Sequence, residues 1–110
     1  AATPQTANIM DAAAIAAMRP GGYLINTARG DVVDEPALAR ALHSGAIGGA
    51  GLDVFQGEPA INPDLLSAPN TVLLPHLGSA TEETRVAMGM KVLENALAFA
   101  GRQTLPDKMA

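Results

Sequence analysis

Apolar residues along the chain fall into blocks of two kinds. The first kind is brief and continuous, and it is bounded by Gly, Pro, Asn and Asp. Such runs predict strands over Tyr23 to Thr27, Ile47 to Phe55 and Thr71 to Leu74, with the last ended by Pro75. The second kind recurs at helical spacing. Leu38, Ala41 and Leu42 predict a helix over about 35 to 44, with Asp34 as N-cap, Pro36 in the first turn and Gly45 as the C′ glycine. Val86, Met90, Leu93 and Leu97 mark one face of a long helix that reaches about Ala100 and is closed by Gly101. Ser79 followed by Glu82 fits a capping box for it.

Shorter signals fill the intervals. Thr3-Pro4-Gln5-Thr6 predicts a short turn of helix, and Asp11 caps an Ala-rich helix to Met18 that stops at Arg19-Pro20-Gly21-Gly22. Gln56 to Asn70 carries three prolines and little periodicity, which predicts a loop. Gly48, Gly49 and Gly51 weaken the second strand unless backbone or ligand comes close, and close approach is the preferred reading. Strands alternating with helices predict an α/β fold, a doubly wound parallel sheet with right-handed crossovers. Three strands buried on both faces need more neighbours than this chain supplies, so a front half is expected to be missing. The opening Ala1-Ala2 before a Thr-Pro turn reads as the point where a strand has been cut away. The tail from Arg102 to Ala110 is polar and expected to be loosely held.

Composition narrows the partners. Of the 110 residues, 48% are hydrophobic and 16% charged, which suits a packed domain and not a disordered segment. Aromatics are only 3%, so the core must come from Ala, Val, Leu, Ile and Met. A net charge of −4 with scattered cations argues against nucleic acid as a partner. Cysteine is absent, which removes disulfides and thiolate metal sites and is compatible with a reducing cytoplasm. No apolar run approaches a membrane span.

In an open parallel sheet, ligands gather beyond the carboxyl ends of the strands. Arg29 follows the first strand, Asp53 and Glu58 lie at and after the second, and His76 follows the third. Arg29 can grip a carboxylate through two N–H groups, and Gly30 beside it lets the chain turn without blocking a ligand. Equally, Arg29 can be a surface residue capping a carbonyl. His76 can give and take a proton near neutral pH, with Pro75 and Gly78 shaping its turn, or it can be a histidine bonded to backbone. A carboxylate such as Glu58 near an imidazole favours and orients the charged ring, but Glu58 can also be solvated loop charge. Asp53 can be a turn-forming Asx residue. His43 lies late in its helix, where it suits the dipole and faces solvent. Met88 and Met90 read as core or domain-contact residues. No spacing of His, Asp or Glu gives a metal signature.

Three runs carry more than their spacing. Asn26-Thr27-Ala28-Arg29-Gly30, Gly51-Leu52-Asp53-Val54-Phe55-Gln56-Gly57-Glu58-Pro59 and Leu74-Pro75-His76-Leu77-Gly78-Ser79 resemble the D-isomer-specific 2-hydroxyacid dehydrogenases, in unbroken order over nearly the whole chain. Thr3-Pro4-Gln5-Thr6 and the helix from Gly89 to Gly101 resemble family segments too. The run Gly78 to Arg85 is most similar to the glyoxylate, hydroxypyruvate and glycerate branch.

The resemblance implies reversible reduction of a small 2-keto acid by hydride from NADH or NADPH. Arg29 then holds the substrate's carboxylate and carbonyl, His76 passes the proton and Glu58 pairs with it. The residue matching Asp53 binds the nicotinamide amide, and Thr27, Ala28, Arg29, His76, Leu77, Gly78 and Ser79 line the nicotinamide end, which also offers a cause for the glycines. The implied fold is the rear half of a Rossmann-like domain, residues 1–100, whose helix over 86–100 packs on a substrate domain, followed by a tail over 101–110. The whole protein is implied to be a cytoplasmic homodimer. What departs from the family is the lack of Gly-x-Gly-x-x-Gly after a strand, and of the ribose-reading residue about twenty positions later. The chain alone is therefore expected to be inactive. The competing expectation is a non-catalytic fragment or a corepressor-like binding module on the same fold, folding through a partner or a swapped dimer.

Overall fold

The computed structural model describes residues 3–108, so Ala1 and Ala2, read above as the edge of a removed strand, and Met109 and Ala110 of the tail lie outside the described residues. The chain divides into two compact units, residues 1–78 and 79–110.

In the first unit, Asp11 Oδ1 accepts the N–H of Ala14 and starts α1 (Ala12–Ala16), which stops two residues short of Met18. Strand β1 (Tyr23–Asn26) leads through a 3-10 turn at Gly30–Val32 into α2 (Glu35–His43), capped by Asp34 Oδ1 on Ala37 N–H and left through Gly45 at φ +70°. Strand β2 (Gly49–Leu52) covers only the middle of the predicted run. Within the expected loop, Asn62 caps a single helical turn, α3 (Pro63–Leu66), whose Leu65 is fully buried. The Asn-Pro pair was the signal for it. Strand β3 (Thr71–Leu73) closes the unit. Thr3 to Thr6 forms hydrogen-bonded turns and no helix.

The sheet is parallel, in the order β1-β2-β3. Alternation along the strands gives its two faces opposite fates. Leu24, Asn26, Ala50 and Leu52 point into a core completed by Ile15, Val33, Leu38, Leu42, Ile47 and Leu65. On the other face Tyr23, Ile25 and Val72 are each more than 60% exposed, so the expectation of strands buried on both sides fails there. The register aligns Ile25, Gly51 and Val72, and a Cβ on Gly51 would come within 2.9 Å of Ile25 Cδ1. A Cβ on Gly49 would meet the Asn70 carbonyl and the Tyr23 ring, and one on Gly48 the Gly21 backbone. Gly48, Gly49 and Gly51 thus accommodate close approach, as expected, and what approaches is the chain's own backbone and side chains.

The second unit is α4 (Glu82–Ala100) with its tail. Its N-cap is Thr81, whose hydroxyl accepts the Thr84 N–H, and not Ser79. Thr81 stands directly before Glu82 and Glu83, where acidic groups meet the positive end of the helix dipole. Val86, Met88, Met90, Leu93 and Leu97 are all exposed, so neither the predicted apolar face nor the methionines form core. Gly101 caps the helix without a left-handed backbone, and Arg102 takes that conformation at φ 53°. The tail is tied back rather than loose: Asn95 Nδ2 donates to Asp107 Oδ2 at 2.8 Å, and Lys91 Nζ lies 3.7 Å from the same oxygen.

Candidate functional site

Three loops leave the carboxyl ends of β1, β2 and β3, and a buried polar side chain governs each. Asn26, at the end of β1, accepts the Ala28 N–H and donates to the Arg29 carbonyl, at 3.0 and 2.8 Å, and so shapes the turn that presents Thr27, Ala28 and Arg29. Asp53, just beyond β2, accepts the N–H groups of Leu77 and Gly78 at 2.7 and 3.0 Å, one on each carboxylate oxygen. It therefore pins the stretch after His76, an Asp-to-backbone clamp between two loops in place of a local Asx turn. Glu35, at the start of α2, accepts the Gln56 N–H at 2.6 Å and holds the loop that leads to Glu58.

The loops bring two of the predicted residues together. Glu58 Oε2 lies 2.8 Å from His76 Nδ1, while Glu58 Oε1 accepts the N–H of Phe55 at 2.8 Å. Those contacts hold the Glu58 carboxyl below its ordinary range; the hydrogen bond from His76 leads, followed by the Phe55 N–H, with the His76 and Arg29 charges adding to them. With Nδ1–H given to Glu58, the neutral ring offers a bare Nε2 and the imidazolium an N–H there. Nε2 has no hydrogen bond among the described residues, and the side chain is nearly half exposed. His76 sits at φ 56°, the left-handed region that non-glycine residues occupy at functional sites more often than elsewhere.

Arg29 is exposed, and its Nη1 donates to the Ala28 carbonyl at 2.7 Å, the carbonyl-capping role weighed for it. Gly30 is buried, and a Cβ on it would overlap the backbone of Phe55 and Gln56. Its small size serves the contact between two loops of the chain, which corrects the expectation that it clears space for a ligand. Beside His76 and Glu58 lies a cavity of about 160 Å³, walled further by Phe55, Pro59, Ile61 and Pro75. That volume suits a molecule of a few heavy atoms and is too small for a dinucleotide. Ser79 belongs to the second unit.

His43 is exposed, and its Nε2 meets the Asp64 carbonyl at 3.0 Å, a packing role for α2 against α3. Among the described residues no group of three or more His, Asp or Glu is placed to hold a metal, and no helix is long and apolar enough to cross a membrane. Sequence reasoning missed Asn26 and Glu35. Asn26 was visible as a polar residue inside an apolar run, whereas nothing local marks Glu35 as buried.

Comparison with known proteins points one way. Residues 1–78 match the family model described as D-isomer specific 2-hydroxyacid dehydrogenase, NAD binding domain. A 2-ketogluconate reductase of Gluconobacter oxydans is 52% identical over 102 residues, which cover 93% of this chain and 33% of that protein. A glyoxylate reductase of Thermococcus litoralis is 46% identical over 96% of this chain and 32% of its own length. Among solved structures, an NADPH-dependent glyoxylate/hydroxypyruvate reductase from Sinorhizobium meliloti, in complex with NADP and malonate, superposes with a TM-score of 0.83 at 48% identity, over 88% of this chain and 30% of that one. The chain spans about one third of the length of the relatives it matches.

Proposed function

Since the chain belongs to the D-isomer-specific 2-hydroxyacid dehydrogenase family, we propose that it supplies the acid–base and substrate-gripping residues of an enzyme that reduces a small 2-keto acid with NADH or NADPH. The single observation that carries this reading is the 2.8 Å pair of Glu58 and His76 beside a cavity of substrate size. Bound nicotinamide would supply the hydride. A keto carbon that accepts hydride leaves charge on its oxygen, and a proton delivered there lowers the barrier. His76 Nε2 is the atom that delivers it. Glu58 keeps the opposite nitrogen protonated and the ring oriented. Arg29 rests on one carbonyl and retains further N–H groups for the substrate's carboxylate.

The residues present fit the nicotinamide end of such a cofactor. Each Asp53 oxygen spends one lone pair on a backbone N–H and keeps another for a carboxamide N–H. Thr27, Ala28 and Arg29, with His76, Leu77 and Gly78, stand on the two loops that Asn26 and Asp53 shape. Residues 1–100 then form the C-terminal part of a dinucleotide-binding domain, and the open face at Tyr23, Ile25 and Val72 is surface that further elements of the domain would cover. The exposed apolar residues of α4 would pack on a substrate domain, in a cytoplasmic homodimer.

Hydride-transfer assays on the protein that carries this chain test the reading, with glyoxylate, hydroxypyruvate and 2-ketogluconate as substrates and both nicotinamides. His76→Asn should lower kcat by about 10²–10⁴-fold. Arg29→Lys, which loses the two-pronged grip, should raise KM. Unchanged turnover in His76→Asn would remove His76 as the proton carrier, and no turnover in the parent with any of these substrates would favour a binding module on this fold instead.

A further inference from the structure

Glu35 is buried, yet none of the roles above requires a carboxylate at that place. The N–H of Gln56 needs a partner, and a backbone carbonyl or an amide would serve. Burial pushes the Glu35 carboxyl up, the Asp31 and Glu58 charges add to that, and the Gln56 N–H only partly offsets it. The site thus keeps a costly group, and the contacts around it show what it holds.

Three of them join the segment from Gly30 to Glu35 to the segment Phe55-Gln56. Gly30 fits under the Phe55 and Gln56 backbone; Gln56 Nε2 donates to the Val33 carbonyl at 2.8 Å; Glu35 Oε1 accepts the Gln56 N–H at 2.6 Å. One segment begins directly after Arg29. The other gives its Phe55 N–H to Glu58, whose second oxygen meets His76. A displacement at Gln56 therefore passes to Phe55 N–H, to Glu58 and to His76 Nδ1. We propose that Glu35 is a positioning residue for the Glu58–His76 pair, locking the loop that carries Glu58 to the turn that carries Arg29. The Glu35–Gln56 bond, at 2.6 Å, is the shorter of the two hydrogen bonds between the segments and the one made directly to the backbone that leads to Phe55. This assignment rests on the reading of His76 as the proton carrier.

The test is a carbon-detected NMR titration of Glu58, with nitrogen observation of the His76 ring, in the 110-residue chain with Glu35→Ala and Glu35→Gln beside the parent. Removal of a neighbouring like charge alone would lower the Glu58 midpoint. Lost positioning does the opposite. In Glu35→Ala the Glu58 midpoint should rise by about half a unit or more, toward the ordinary carboxyl value, and the His76 Nδ1–H signal should broaden or vanish. Glu35→Gln, which keeps an oxygen acceptor for Gln56, should leave the Nδ1–H signal in place and the midpoint no higher than in the parent. A folded Glu35→Ala with an unmoved or lowered midpoint overturns the proposal, whatever its melting temperature, and so does a rise in Glu35→Gln as large as that in Glu35→Ala. Should the alanine variant fail to fold, Glu35→Asp withdraws the carboxylate by one methylene and must raise the midpoint part of the way; no rise overturns the proposal equally. The titration reads Glu58 and its contacts, whereas the hydride-transfer assay reads His76 and Arg29, so either can fail alone.

Discussion

Gly30 lies against Phe55 so closely that a methyl group on its Cα would overlap the Phe55 carbonyl. The side of Gly30 that lacks a side chain is occupied by backbone, which cannot swing aside as a flexible side chain would. Gly30→Ala should therefore destabilise the chain by about 1–3 kcal/mol in urea unfolding, the usual range for overpacking. It should also speed amide exchange at Phe55 and Gln56. A variant as stable as the parent would show that the two loops move apart freely.

Asp53 is expected to hold the loop after His76. Asp53→Ala strands two backbone N–H groups that now bond a carboxylate, and each such bond contributes about 1.5–3 kcal/mol. The loss should be on the order of 2 kcal/mol or more, and amide exchange should rise at Leu77 and Gly78 before it rises in β2. Asp53→Asn keeps one acceptor oxygen and should lose less.

The Glu58 carboxyl titrates below its ordinary value of 4.5 in the folded chain. A depressed carboxyl adds stability that is complete above the unfolded value and fades as pH falls through the folded one. Acid should thus remove this contribution below pH 4.5, and Glu58→Gln should flatten that part of the stability curve.

Glu35 carries the opposite sign. Its carboxyl is raised above 4.5 by burial, so its favourable contribution is complete below that value and is lost as pH rises through the folded one. Melting temperatures of the parent should therefore gain on acidification toward pH 4.5 relative to Glu35→Gln, which has no group to titrate there. Parallel curves for the two proteins across that interval would contradict the raised carboxyl.

Much of this arrangement is legible in the sequence. Asp11, Asp34 and Gly45 act through local geometry, so their capping and turning roles were visible in a few neighbouring residues. Arg29, Glu58 and His76 follow strands and were placed at one sheet edge by topology. The misreadings share a physical origin. Ser79 has Glu82 at capping-box spacing while Thr81 stands directly before Glu82 and Glu83, and only the backbone decides which starts α4. Tyr23, Ile25 and Val72 look buried by composition, but burial depends on what lies across the sheet and not on the strand. Glu35 escaped notice because its partner is 21 residues away, and Gly30 was assigned to a ligand because contact with residue 55 is equally remote.

The backbone at position 76 and the side chain it carries answer to different pressures. A left-handed φ of 56° suits glycine or asparagine better than most other residues. A library randomised at position 76 and sorted only for folded protein should accordingly enrich glycine and asparagine over histidine. The same library sorted for proton transfer should return histidine. The ratio of the two enrichments would measure how much conformational ease this chain gives up to keep an imidazole where a turn would rather have none.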